Sequence, residues 1–204
     1  MTKPNEEKRP YHHGDLRAAL LSAAEEELAE KGVEAFTLRG VAKRAGVSHA
    51  APAHHFRNVE AMLTALAAIG FRRLTAAMRA RHAEAAKTPR DQFIASGVGY
   101  VDFALANPAL FRLMFSSQRP EHGNADMADA GAEAFEVLVD DVAAVRGDDP
   151  MASRDGRFDV TAAWSLAHGL ANLLIANGPG FIAADLARDR DGSLRDLIER
   201  VTPR

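Results

Sequence analysis

The sequence predicts an all-α protein with a small N-terminal helix-turn-helix domain and a larger C-terminal helical domain. Apolar residues recur at helical spacing along most of the chain, a pattern typical of amphipathic helices. Helix-ending glycines, together with Thr-Pro and Asn-Pro pairs, divide the chain into segments of ordinary helical length. Residues 88–204 show none of the alternation expected of strands.

The first predicted helix runs from Asp15 to Lys31 and ends at Gly32, since glycine adopts the left-handed cap conformation at low cost. Its apolar stripe consists of Leu16, Leu20, Ala23, Ala24 and Leu28. The polar residues 1–12 that precede this helix are expected to form a flexible arm.

The stretch from Thr37 to Leu63, TLRGVAKRAGVSHAAPAHHFRNVEAML, predicts a helix-turn-helix. Thr37 is expected to cap a short helix that ends at Gly46. Ser48 is expected to cap the second helix by accepting a backbone hydrogen bond. Because the second helix of such a pair fits the major groove, the stretch predicts DNA binding.

A long connecting helix is predicted from Asn58, its N-cap, to about His82. The Thr-Pro pair at 88–89 then marks the start of another helix, since proline is tolerated in a first turn. The Asn-Pro pair at 107–108 ends that helix, and a short apolar helix is expected to follow.

The last third of the chain is predicted to contain two longer helices, at 125–146 and 158–176. A charged loop at 147–156 separates them, and the Asn-Gly-Pro sequence at 177–179 ends the second. One or two short helices are expected in the tail.

Several residues of the helix-turn-helix are candidates for contacting DNA. The first residues of a recognition helix reach base edges, which makes Ser48 and His49 candidates for contacting a base or a phosphate, although His49 could instead be merely solvated. Thr37 lies at a helix N-terminus, where phosphate is favoured, although a purely capping role would also explain it. Lys43 could equally be solvated, and His55 could equally stabilise the domain. The complete candidate set is Thr37, Arg39, Lys43, Ser48, His49, Ala50, His54, His55 and Asn58.

The charge distribution favours a local affinity for nucleic acid. The net charge is −3, and residues 1–60 hold equal numbers of acidic and basic side chains. The acids concentrate at 25–30, whereas the bases concentrate in or beside the helix-turn-helix, so a positive face is expected on a neutral domain. A further group, Lys8, Arg9, Tyr11 and His12, could enter the minor groove as part of the arm.

The C-terminal region contains a set of residues that could line a pocket for a small molecule. Trp164, His168 and Asn172 stand four residues apart, and thus on one face of an apolar helix. Polar groups in an apolar wall can orient a ligand, but they could equally form an interhelical hydrogen-bond network. The candidate set is Tyr100, Phe103, Phe111, Phe115, Trp164, His168 and Asn172, and most of its aromatic members could instead belong to the core.

Other classes of function find little support. His49, His54 and His55 do not share a helix face well, and no carboxylate or further histidine completes a zinc-binding signature. No nucleophile motif, glycine-rich phosphate loop or carboxylate pair indicates an enzyme, and no cofactor or metal is predicted. The absence of cysteine excludes disulfides and thiolate ligands. No apolar run is as long as the roughly 18 residues of a transmembrane helix, and the polar start lacks a signal-peptide core, so a cytoplasmic protein is expected.

Two blocks of this sequence resemble the TetR family of bacterial transcriptional regulators. The first covers about 11–63 and consists of YHHGDLRAALLSAA and GVEAFTLRGVAKRAGVSHAAPAHHFRNVEAML. Within it the T-L-R-x-V-A-x-x-A-G-V-S string, the His55-Phe56 pair and Glu60 fall in register with the family pattern. The second block, WSLAHGLANLLI at 164–175, is similar to the Trp-His-Gly helix of one C-terminal subgroup.

The resemblance implies a homodimer that binds a pseudo-palindromic DNA operator, most often as a repressor, and is released by a small, largely apolar ligand. The two helices at 125–146 and 158–176 would form a four-helix interface with their mates. The implied organisation is an arm at 1–12, a DNA-binding domain at 13–57, a connecting helix at 58–83, and a ligand-binding and dimerisation domain at 84–204. No membrane partner is implied.

Two positions depart from the family pattern. Ala53 stands where the family usually has tyrosine, and Val59 where it usually has lysine. Both usual residues typically contact phosphate in the family, so DNA binding would be weaker or depend more on the arm. The alternative function is therefore a dimeric helical interaction or ligand-sensing protein with lost or weakened DNA binding.

Overall fold

The structure is a computed structural model that describes residues 13–176, 178 and 180–203. Every regular element in these residues is a helix, which confirms the predicted all-α class. The helices are α1 (His13–Lys31), α2 (Leu38–Arg44), α3 (Val59–Glu84), α4 (Pro89–Ala106), α5 (Pro108–Ser116), α6 (Ala125–Arg146), α7 (Arg154–Ile175), α8 (Gly180–Arg188) and α9 (Arg190–Glu199). The predicted arm at 1–12 and the predicted helix end at 177 and 179 lie outside the described residues.

The predicted N-caps of α2 and α3 are present. Thr37 Oγ1 accepts a hydrogen bond from the backbone N–H of Gly40 across 3.0 Å. Asn58 Oδ1 accepts one from the N–H of Ala61 across 2.8 Å. Each bond satisfies a backbone donor that has no partner within its own helix, and thereby fixes where the helix begins.

Glycine ends the helices of the helix-turn-helix domain as predicted. Gly32 and Gly46 have φ angles of 72° and 66°, a left-handed conformation that other residues rarely adopt. After Gly46, the N–H of Val47 donates to the carbonyl of Ala42 across 3.0 Å, which closes a Schellman-type cap. The chain can therefore turn sharply towards the segment that should contact DNA.

The second element of the helix-turn-helix differs from its prediction. Ser48 does not cap a helix, and the element is a short 3₁₀ segment, Ala51–His54, without a side-chain cap. An α-helix capped by Ser48 would need its first backbone bond from residue 52, but Pro52 has no N–H to donate. The Ser48 carbonyl instead accepts from Ala51 across 3.0 Å, which gives the tighter i→i+3 pattern.

Helix α7 also differs from its prediction, because it begins at Arg154 rather than at residue 158. Ser153 caps it by accepting from the N–H of Gly156 across 3.0 Å. Gly156 looked like a loop residue in the sequence, yet it lies inside the helix and packs on the backbone of Pro150, where a Cβ atom would collide. This glycine is thus explained by close packing and does not end a helix.

Helix α3 is the centre of the fold and packs chiefly against α4 and α6. Gly99 of α4 allows the close approach, since a Cβ there would lie 2.7 Å from the Ala77 carbonyl oxygen. By length and composition α3 could cross a membrane, contrary to the sequence prediction, but 56% of its most apolar stretch is buried inside the protein. Its apolar character is therefore accounted for by the core of the protein itself.

A candidate DNA-binding surface and a candidate ligand cavity

Most of the residues predicted to contact DNA lie on the surface of the helix-turn-helix domain. Arg39, Lys43, Ser48, His49, Ala50 and His54 are exposed, and His55 is half-buried. Neither Arg39 nor Lys43 forms an ion pair with any residue in the described part of the chain. Both cations are therefore available to a polyanion.

Thr37 and Asn58 use their side-chain oxygens as helix caps and so combine two possible roles. The hydroxyl of Thr37 accepts from a backbone N–H, and this leaves its own hydrogen to be donated elsewhere. The amide nitrogen of Asn58 is likewise not used by the cap. Each residue therefore caps a helix and still has a side-chain donor that a phosphate could accept from.

Two acidic residues of α1, Glu27 and Glu30, pair with basic residues of the same domain. Arg44 donates to the buried Glu27 across 2.6 Å and also pairs with Glu30. Lys31 and Arg44 lower the pKa of Glu30 to about 2, mainly through hydrogen bonds to its carboxylate. Because Arg44 already pairs with Glu27 and Glu30 of α1, it is less available to a phosphate than its neighbour Lys43.

Gly40 is required by the same packing. The buried Glu27 side chain lies so close to the backbone of α2 that a Cβ atom on Gly40 would collide with it. Glu27 thus anchors α2 on α1 and also provides the acceptor for Arg44. This pair of contacts sets the angle at which α2 presents Arg39 and Lys43 to solvent.

A cavity of about 400 Å³ lies within the C-terminal part of the fold. Its volume falls in the range of small-molecule sites, which are roughly 300–1,000 Å³. Aromatic and other apolar side chains make up most of its wall, with polar groups from only a few residues. Among its lining residues are Phe71, Ser96, Tyr100, Phe115, Phe135, Asp141 and Trp164.

A hydrogen bond joins α4 and α7 beside this cavity. The Tyr100 hydroxyl lies 2.8 Å from Nδ1 of His168. Burial lowers the pKa of His168, so its ring is neutral near pH 7, and its tautomer determines which of the two groups donates. Burial likewise raises the pKa of Tyr100 above its usual value, which keeps the phenol protonated. Asn172, on the next turn of α7, donates to the His168 carbonyl across 3.0 Å.

The structure brings some of the predicted pocket residues to the cavity and leaves others in the core. Tyr100, Phe115 and Trp164 line it. Phe103 and Phe111 do not line it, because they point into the hydrophobic core and are almost completely buried. His168 lies behind Tyr100 and Asn172 bonds its own helix, so neither side chain lines the cavity.

Two polar residues of the cavity wall were missed by the sequence analysis, Ser96 of α4 and Asp141 of α6. A signal for Asp141 was present, since it follows Ala134, Val137 and Leu138 at the helical spacing of the apolar face of α6. A carboxylate on such a face is unusual enough to mark a site.

No group of three potential metal ligands is present among residues 13–176, 178 and 180–203. His49 and His54 are both exposed on the helix-turn-helix domain. Their position there fits a contact surface better than a coordination site.

The fold and these two features define a class of protein, the helical transcriptional regulators with a helix-turn-helix DNA-binding domain. Two sequence models narrow the class. "Bacterial regulatory proteins, tetR family" matches residues 20–66, and "Tetracyclin repressor-like, C-terminal domain" matches residues 93–201. The chain therefore belongs to the TetR family. No curated protein matches it in sequence.

Solved structures with the same fold agree with this assignment. A protein with unknown function from Rhodococcus sp. RHA1 is 33% identical, with 97% of this chain and 100% of that chain covered and a TM-score of 0.75. The TetR family transcriptional regulator PfmR from Thermus thermophilus is 21% identical, with coverage of 91% and 99% and a TM-score of 0.65. A bacterial regulatory protein of the tetR family from Rhodococcus RHA1 is 22% identical, with coverage of 92% and 96% and a TM-score of 0.65. At these last two identities the likeness concerns the fold alone.

Proposed function

We propose that this protein is a cytoplasmic, homodimeric repressor that binds a pseudo-palindromic DNA operator and is released by a small, largely apolar ligand. The observation that carries the proposal is the combination of an exposed cationic helix-turn-helix surface with an apolar cavity in one chain. Helix α3 contributes Phe71 to the cavity wall and begins beside the helix-turn-helix. A ligand that moves this wall can therefore change the position of the DNA-binding domain.

Exposed apolar residues support the dimer. Phe158, Trp164 and Leu173 of α7 expose 56%, 43% and 48% of their surface, and Phe135 of α6 is exposed as well. Such a patch on two long neighbouring helices favours burial against a second copy. A two-fold dimer would present two equivalent recognition segments, which is why the operator should be a pseudo-palindrome with half-sites about 34 Å apart.

The proposed DNA contacts are the nine candidate residues from Thr37 to Asn58. The exposure of seven of them and the cations at Arg39 and Lys43, which form no ion pair within the described residues, support this assignment. The domain boundaries at 13–57, 58–83 and 84–204 are proposed with it, as is membership of the Trp-His-Gly subgroup from the block at 164–175. Neither the cavity nor the surface contains a constellation that suggests catalysis, and a binding protein is proposed.

The decisive experiment is fluorescence anisotropy of the purified protein on DNA from upstream of its own gene, with scrambled DNA as the control, across a salt series. A preference of about a thousandfold with a steep salt slope is expected of a sequence-specific regulator. Weak binding that is equal on the two DNAs would contradict the proposal for this operator region.

The second candidate is a dimeric ligand sensor with weakened DNA binding. The exposed position of Ala53 favours it, because a phosphate-contacting tyrosine there would have faced solvent. Size-exclusion chromatography with light scattering, together with the same anisotropy series, separates the two candidates. A stable dimer without salt-sensitive DNA affinity would support the sensor.

A further inference from the structure

The cavity wall contains a buried carboxylate with one oxygen that has no hydrogen-bond partner among the described residues. Asp141 is 6% exposed and lies in the cavity wall among apolar side chains. Its Oδ1 lies 3.2 Å from Nε2 of His82, on the side of the helix that faces a separate surface groove. Its Oδ2 is buried without a hydrogen-bond partner among the described residues. A buried charged oxygen without a hydrogen bond raises the free energy of the folded state, so a ligand that donates to it would stabilise the protein.

The other polar groups of the cavity wall include two hydroxyls. The Tyr100 hydroxyl already shares a hydrogen bond with Nδ1 of His168, which uses part of its hydrogen-bonding capacity. Ser96, the remaining hydroxyl in the wall, can either donate or accept. No lysine, arginine or histidine from the described part of the chain lines the cavity. A bound carboxylate or phosphate would therefore meet the like charge of Asp141 with no cation in the cavity wall, whereas a cationic nitrogen could pair with the Oδ2 atom that has no partner among the described residues.

From this arrangement we propose that the cavity binds an apolar molecule with a cationic amine, and that Asp141 is the residue that pairs with the ammonium group. The hydrocarbon part would lie against the aromatic wall, which includes Tyr100, Phe135 and Trp164. The inference rests on the proposed function and specifies the chemical class of the ligand at that site.

Three probes with the same hydrocarbon test the proposal by isothermal titration calorimetry on the full chain: 4-phenylbutylamine, 4-phenylbutan-1-ol and 4-phenylbutanoate. The amine is expected to bind at least tenfold more tightly than the alcohol, and the carboxylate most weakly. In Asp141→Asn, which keeps the shape of the side chain, the amine should lose this advantage while the affinity of the alcohol stays the same.

Two further variants show whether the preference depends on Asp141 itself and whether the probes bind in the cavity. Asp140→Asn removes the same charge from the exposed neighbouring residue and should leave the preference for the amine intact. Ala163→Leu fills part of the cavity and should weaken all three probes, which places their binding inside it. Circular dichroism of each variant confirms that it is folded.

The possible failures are distinguishable. If the amine and the alcohol bind wild type equally, or if Asp141→Asn leaves the preference unchanged, the amine assignment is overturned and the cavity remains a ligand site. Tighter binding of the carboxylate would also overturn it. If none of the three probes binds wild type, both the assignment and the ligand-binding part of the proposed function fail.

Discussion

Arg119 joins the loop after α5 to the start of α3, because its Nη2 donates to Oε1 of Glu60 across 2.9 Å. Its Nη1 also donates to the carbonyl of Val33, in the turn after α1, across 2.8 Å. A second contact from the same loop runs from the N–H of Glu121 to Thr64 Oγ1 across 2.8 Å. The loop is thus fixed to the helix-turn-helix domain, and the helix before it carries Phe115 of the cavity wall.

Replacing Arg119 with alanine should destabilise the protein. The Val33 carbonyl and the Glu60 carboxylate would each lose a charged donor. At a partly exposed site the two hydrogen bonds together stabilise the protein by about 1–2 kcal/mol. The free energy of unfolding, measured with urea, should fall by that amount. Arg112→Ala is the control, because Arg112 is exposed on α5 and forms no ion pair within the described residues. Equal effects of the two substitutions would contradict the role given to Arg119.

Lys43 and Arg44 should respond differently to substitution, although they are adjacent. Lys43→Ala should make the slope of log affinity against log salt concentration shallower by about one for each lost phosphate contact. It should have little effect on stability, because Lys43 is exposed. Arg44→Ala should chiefly lower stability, because it leaves the buried Glu27 without its cation. Anisotropy across a salt series and urea unfolding measure the two effects. The assignment fails if Arg44→Ala changes the salt slope as much as Lys43→Ala does.

Introducing the residues that are usual in the family should strengthen DNA binding. The double variant Ala53→Tyr and Val59→Lys adds a hydroxyl donor at an exposed position and a cation at a half-buried one. The affinity should rise on operator and scrambled DNA alike, and the salt slope should steepen by about 0.9 for each lysine that contacts a phosphate. Ala76→Lys, on an exposed position of α3 distant in sequence from the recognition segment, adds the same charge and should change neither quantity by a comparable amount.

Tyr100→Phe tests the hydrogen bond between α4 and α7. The variant keeps the ring in the cavity wall but leaves Nδ1 of His168 without its hydrogen-bond partner, at a cost of about 1 kcal/mol. Thermal unfolding should show a lower midpoint, while the affinity of 4-phenylbutan-1-ol should change little, since the apolar wall is intact. An unchanged midpoint would show that the bond contributes nothing to stability.

Asp141 should make the stability of the protein depend on pH. Burial raises its pKa from 3.8 to about 6, although the nearby His82 and the hydroxyl of Ser96 offset part of the effect. A raised pKa favours folding while the group is protonated, so this contribution is present below pH 4 and is lost as the pH rises through 6. The stability of Asp141→Asn relative to wild type should therefore increase by about 2–3 kcal/mol between pH 4 and pH 7.

Urea unfolding at both pH values gives this difference directly. Comparison of the two proteins cancels the titration of the groups that do not contact Asp141. Asp140→Asn should show a much smaller change, because Asp140 is exposed. A relative stability of Asp141→Asn that does not vary with pH would show that the carboxylate titrates normally.

The sequence by itself determined the elements that local chemistry controls. The caps at Thr37 and Asn58 and the left-handed glycines at Gly32 and Gly46 depend on residues within a few positions of each other, so the pattern alone predicted them. The family resemblance, which is also a property of the sequence, indicated the two-part organisation and the class of protein. The error at Ser48 was also local, since the missing N–H of Pro52 was visible in the sequence.

Only the tertiary structure decided which side chains share a site. Phe111 and Phe115 lie one helical turn apart, yet one is core and the other lines the cavity, because neighbouring helices surround them differently. Arg44 and Lys43 are adjacent, but only the first meets the acids of α1. The position of Asp141 on the apolar face of α6 is visible in the sequence, but only the packing of the helices places it in the same cavity wall as Tyr100 and Trp164. Burial and charge pairing depend on packing between distant segments, and helical periodicity does not specify that packing.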